Sequence, residues 1–73
     1  MNTRHFNPRA IGPRIRQARE QQGLTLRMFA AKLGADDSNV AKWERGTSVP
    51  SLHNVALVAM ALDVTTDWLL FGD

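Results

Sequence analysis

Residues 23–46 read GLTLRMFAAKLGADDSNVAKWERG, and this stretch decides the fold. Gly23, Gly34 and Gly46 punctuate it into two short segments, each with apolar residues at helical spacing. Thr25 is a competent N-cap for the first, in which Phe29, Ala30 and Leu33 share a face and Gly34 closes the C-terminus. Asp36 caps the second, Asp37 to Arg45, which ends at Gly46. Placed about 100° apart, Val40 and Trp43 fall on one side, while Asp37, Ser38, Ala41, Lys42 and Arg45 gather on the opposite arc. That outer arc holds no large apolar group.

Working outward, Ile11, Ile15, Ala18 and Gln22 lie at i, i+4, i+7 and i+11 and predict a first helix. Pro13 sits in its first turn and Gly23 supplies the stop. Beyond the loop Thr47 to Pro50, Ser51 can cap a fourth helix whose core stripe is expected at Leu52, Val55, Ala56, Ala59 and Leu62, with Leu57, Val58 and Met60 off it. Asp63 tolerates the left-handed turn that glycine often makes. Thr65 then caps a last short helix carrying Trp68, Leu69, Leu70 and Phe71 ahead of Gly72. Residues 1–10 are polar and basic, contain Pro8, and read as an arm that orders only on docking; the folded domain is expected over 11–71. The total is five helices with no strand alternation and no internal repeat.

Composition narrows the function. The chain has 73 residues, a formal charge of +2 and no cysteine, which excludes a disulfide framework and thiolate metal sites. A domain this small seldom draws more than about 3–5 kcal/mol from one core, which favours an idealised, local, helical fold. No run of roughly 18 apolar residues and no cleavable leader is evident, so a cytoplasmic protein without membrane contact is expected. Asp36 and Asp37 are sequence neighbours and exposed, not a pair across a cleft, and neither His5 nor His53 has a Ser or Cys nucleophile in pattern. No enzymatic activity, metal, cofactor or small-molecule ligand is expected. The charge is divided unevenly: residues 1–32 carry seven cations against Glu20, a balance of +6, whereas residues 33–73 carry Lys42 and Arg45 against six acids, a balance of −4. Such a split points to an anionic partner for one face.

Two short helices about a glycine turn have the proportions of a helix-turn-helix. The particular residues carry the match further: Gly23-Leu24-Thr25, Ala30-Ala31-Lys32-Leu33-Gly34, Val40 with Trp43-Glu44-Arg45-Gly46, Pro50-Ser51-Leu52, Ala61-Leu62-Asp63-Val64 and Asp67-Trp68-Leu69-Leu70. From about Ile11 to Phe71 the sequence resembles the lambda repressor–Cro (XRE-type) family of helix-turn-helix DNA-binding domains. The resemblance implies an all-α, compact five-helix bundle of the lambda-repressor-like type, with helices 2 and 3 as the helix-turn-helix. It also implies a bacterial or phage-encoded, nucleoid-associated regulator of transcription that binds duplex DNA sequence-specifically and represses by covering a promoter. Finally, it implies an ion pair between Arg19 and Glu44.

A helix about 10–12 Å across fits the major groove of B-DNA, so the outer arc of helix 3 supplies the base-reading candidates Asp37, Ser38, Ala41 and Lys42. The phosphate candidates are Arg14, Arg19, Arg27, Arg45 and Ser51, the last at a helix N-terminus. Asp37 has two readings: a first-turn acid favoured by the helix dipole, or an acceptor for cytosine N4. Leu26 departs from the family, in which a polar side chain commonly meets phosphate there, and the loop Thr47 to Pro50 lacks Lys and Arg. One such module buries only about 600–1,000 Å² on DNA, so a homodimer on a palindromic operator is expected, with dimer candidates Leu57, Met60, Trp68 and Leu70. The alternative is a protein-interaction module, antitoxin-like or adaptor, that keeps the scaffold but binds DNA weakly.

Overall fold

The computed structural model describes residues 5–73. A 3-10 turn at Pro8–Ala10 leads into α1 (Ile11–Gln21), α2 (Leu26–Leu33), α3 (Asp37–Arg45), α4 (Leu52–Leu62) and α5 (Thr66–Phe71). Each start from α2 onward is fixed by a short polar side chain. Thr25 Oγ1 accepts from Met28 N at 3.1 Å, Asp36 Oδ1 from Ser38 N at 3.3 Å, Ser51 Oγ from Asn54 N at 3.2 Å and Thr65 Oγ1 from Trp68 N at 3.0 Å. These bonds satisfy amides that the first helical turn leaves without a partner. Asp63 terminates α4 at φ 54° and ψ 45°, the one non-glycine residue with positive φ among those described.

The core is built from Ile11, Ile15, Phe29, Val40, Val58, Leu62 and Leu69, all fully buried, with Trp43 beside them. α1 runs against α3 at very short range. A Cβ added to Gly12 would collide with the Trp43 carbonyl oxygen, so the absence of a side chain there sets how closely the two helices approach.

α4 differs from its expected phase. Its buried stripe is Val55, Val58, Ala59 and Leu62, whereas Leu52 is 81% exposed and Ala56 is also exposed. The reason lies in the sequence Leu52–Leu62, which is apolar almost all the way round. Its period is helical, but its contrast is too weak to say which side faces inward.

The arm expected over residues 1–10 lies partly outside the described residues. Within them, Asn7 Oδ1 accepts from Arg9 N at 3.1 Å to cap the 3-10 turn, and the Phe6 ring meets Phe71 edge-on, with centroids 5.9 Å apart and planes at 63°. The segment before α1 therefore rests on the end of α5.

Neither α4 nor α5 has a basic residue in its own last turn. Their terminal carbonyls are held instead from α1, its C-cap residue and α2. Gln22 Nε2 donates to Leu62 O at 2.6 Å, Lys32 Nζ to Ala61 O at 3.4 Å and Arg14 Nη1 to Leu69 O at 3.0 Å. These bonds satisfy acceptors that a helix leaves open, and two of the three donors are cations placed at the negative end of a helix dipole. Among the described residues no helix is long and apolar enough to cross a membrane.

Candidate nucleic-acid interface

α3 presents its outer face because Val40 and Trp43 anchor its inner one. Asp37, Ser38, Lys42 and Arg45 are exposed along that face, and Ala41 lies half-buried between them. Together with Leu26 from the first turn of α2 they line one open depression. All four base-reading candidates, Asp37, Ser38, Ala41 and Lys42, are thus brought together, and Arg45 joins them at the end of the helix.

The position of α3 is set by an ion pair. Arg19 Nε donates to Glu44 Oε2 at 2.7 Å and Nη2 to Oε1 at 2.9 Å, a fork-on-fork arrangement, while Nη1 donates to the Leu24 carbonyl at 2.8 Å. The two side chains retain only 11% and 7% of their exposure. Hydrogen bonding to the Glu44 carboxylate raises the Arg19 pKa above its ordinary value, so the guanidinium stays charged. One group thereby links α1, the α1–α2 turn and α3.

The acids at the start of α3 have distinct surroundings. Asp36, as N-cap, is held below the usual carboxylate range, chiefly by the Ser38 backbone N–H and then by the Ser38 side chain. Asp37 borders two depressions: the one above, and a second lined by Arg27, Ala30, Ala31, Ala35 and Asp36. Arg27 thus lines the same depression as both carboxylates, while the cation that acts on the Asp36 charge is Lys42.

The remaining candidates are scattered. Ser51 is exposed and caps α4. Arg14 is half-buried, with Nη1 on the Leu69 carbonyl. Leu57 and Met60 share a groove with Lys32, Leu33 and Ala61, and Met60 is 78% exposed; Trp68 and Leu70 instead pack half-buried against the core. Sequence reasoning gave no role to Gln22 or Lys32 as clamps. The signal that marks them is indirect: two helices that end without a cation of their own.

A face of this shape, carried on the second helix of a tight helix pair, defines a class. The helix-turn-helix model HTH_3 matches residues 15–69, and the chain belongs to that family, in its lambda repressor–Cro (XRE) branch. Among curated relatives it is similar to the HTH-type transcriptional regulator DicA of Escherichia coli, 38% identical over 86% of this chain and 47% of DicA, and to repressor protein C2 of Salmonella phage P22, 28% identical over 93% of this chain and 32% of C2. It therefore spans about half the length of DicA and a third of C2. Among solved structures it superposes on the P22 c2 repressor bound to a synthetic operator, with TM-score 0.81 and 28% identity over 86% of this chain and 96% of that one. It also superposes on the restriction-modification controller protein C.AhdI of Aeromonas hydrophila, with TM-score 0.80 and 35% identity over the same shares.

Proposed function

We propose that this chain is the sequence-specific DNA-binding domain of a cytoplasmic, nucleoid-associated transcriptional repressor, which lays α3 in the major groove of a palindromic operator. The observation that carries the reading is the exposed outer face of α3, free of large apolar groups and fixed in position by the Arg19–Glu44 fork. The operator-bound P22 c2 repressor and the DNA complex of SinR, 35% identical with TM-score 0.77, lend it support.

In this reading Ser38 and Lys42 supply hydrogen bonds to base edges, Ala41 offers an apolar contact and Asp37 accepts from cytosine N4. Arg45, in the depression over α3, and Arg27, in the neighbouring one that shares Asp37, meet phosphate. Arg19 has two guanidinium N–H groups beyond the three already placed, and these reach for phosphate while Glu44 holds the side chain still. Ser51 and the open amides at the start of α4 meet a further phosphate. Arg14, at the end of α5, keeps four N–H groups beyond the one on Leu69 and is a further phosphate contact in this reading. Two copies associate through Leu57 and Met60, with the half-buried Trp68 and Leu70 as the further candidates, and with recognition helices about 34–36 Å apart.

Selection from random duplexes by the purified protein tests this reading, with enrichment of a palindrome expected. Lys42→Ala should relax the preference at one position of each half-site, whereas Arg45→Ala should weaken all sequences alike and reduce the salt slope by about 1 per protomer. Light scattering with and without operator checks the dimer. The acids at the start of α3 and the exposed apolar residues of α4 favour a second reading, a protein-interaction module; a selection that enriches nothing would establish it.

A further inference from the structure

The depression over α3 has one feature that phosphate contact and hydrogen-bond readout leave unused. Of its six lining residues, Leu26 and Ala41 contribute only apolar side-chain atoms, while Asp37, Ser38, Lys42 and Arg45 surround them with donors and acceptors. Leu26 is not a loose side chain. It is half-buried and packed on the core cluster, so its exposed edge is a fixed wall rather than a chain that must be ordered on binding. Ala41, half-buried on the second turn of α3, forms the other apolar side. A leucine cannot hydrogen-bond a phosphate, but the edge that it leaves in this wall can meet an apolar group on the DNA.

In the major groove the one apolar group on a base edge is the methyl at C5 of a pyrimidine. Next to it, at C4, lies either the O4 acceptor of thymine or an amine at N4 in 5-methylcytosine. The lining matches both arrangements: Lys42 and Ser38 can donate to O4, and Asp37 can accept from N4.

We infer that the Leu26–Ala41 notch is a specificity site for a C5-methylated pyrimidine in each operator half-site. The inference rests on the DNA-binding reading above and extends it, because it makes a residue of α2, outside the recognition helix, a direct reader of sequence.

The test uses the palindrome recovered by selection. Replacing each thymine singly by deoxyuridine removes a methyl and nothing else, and replacing each cytosine by 5-methylcytosine adds one. Transfer of a buried methyl-sized group corresponds to about a fourfold change in affinity. The wild-type protein should therefore lose about fourfold at one thymine per half-site, which identifies thymine as the base read, or gain about fourfold at one cytosine, which identifies 5-methylcytosine. Leu26→Gln and Ala41→Ser should each abolish that discrimination, and where thymine is the base read each should also bind the unmodified palindrome about fourfold more weakly, since it already carries that methyl. The second substitution lies at a helix surface and serves if the first unfolds the domain. The inference fails if no single substitution changes affinity, or if the methyl effect survives in both variants. Failure of the selection itself would instead overturn the DNA-binding reading.

Discussion

Glu44 is the residue whose removal reaches furthest. Taking away one member of a well-buried, hydrogen-bonded ion pair leaves the other charge without a partner, at a cost of about 3 kcal/mol or more. Glu44→Ala should therefore lower the melting temperature by ten degrees or more, since about 1 kcal/mol moves a domain of this size by 4–8 °C. Affinity for DNA should fall with it, as Arg19 loses its orientation; an unchanged melting curve would show that the fork carries no load. Asp36 gives the pH counterpart. Its folded pKa lies below its unfolded value, so its contribution is complete above about pH 4 and is lost as pH falls through the folded value. Stability measured between pH 6 and pH 2 should thus decline on the acid side, and Asp36→Ala should be less stable near neutrality with a shallower acid limb. The caps Thr25, Asp36, Ser51 and Thr65 were legible in the sequence because a cap is a local device, decided within three residues. The Arg19–Glu44 pair, 25 residues apart, was reached only through family resemblance, since nothing in either neighbourhood names the partner.

Between elements, the separation of α1 from α3 is set by Gly12. Gly12→Ala must push its new methyl against the Trp43 and Glu44 carbonyl oxygens, and backbone cannot swing aside as a side chain can. Destabilisation of about 1–3 kcal/mol is expected from overpacking of this kind, visible as a lower denaturant midpoint at unchanged m-value. The clamps on α4 and α5 form a second set of inter-element ties. Arg14→Met keeps the apolar stem but removes the bond to Leu69 O, and should cost about 1 kcal/mol, with faster hydrogen exchange confined to the α5 amides. These ties explain what the sequence left open. Helix boundaries follow from caps and glycines, but the rotation of α4 about its axis does not, because Leu52, Ala56 and Val58 are all apolar and only packing chooses among them. The same holds for the groove of Leu57 and Met60: their exposure depends on that rotation, while Trp68 and Leu70 turn toward the core.

At the scale of the whole molecule, the uneven charge acquires a structural meaning. Lys32 and Arg14 belong to the basic half by sequence, yet each also binds a carbonyl at the end of a helix in the acidic half, so part of the +6 to −4 division works inside the fold. The face proposed for DNA is accordingly a mosaic of Arg27, Lys42 and Arg45 with Asp36 and Asp37, and its preference among sequences should exceed what its modest net charge suggests. The meeting of Phe6 with Phe71 has a separate consequence. Because the two ends of the fold lie side by side, a linker of a few glycines should join them into a circular backbone without disturbing any helix. Closing a ring of this size removes about 4 kcal/mol of chain entropy from the unfolded ensemble, so the circular form should melt well above the linear one while selecting the same operator.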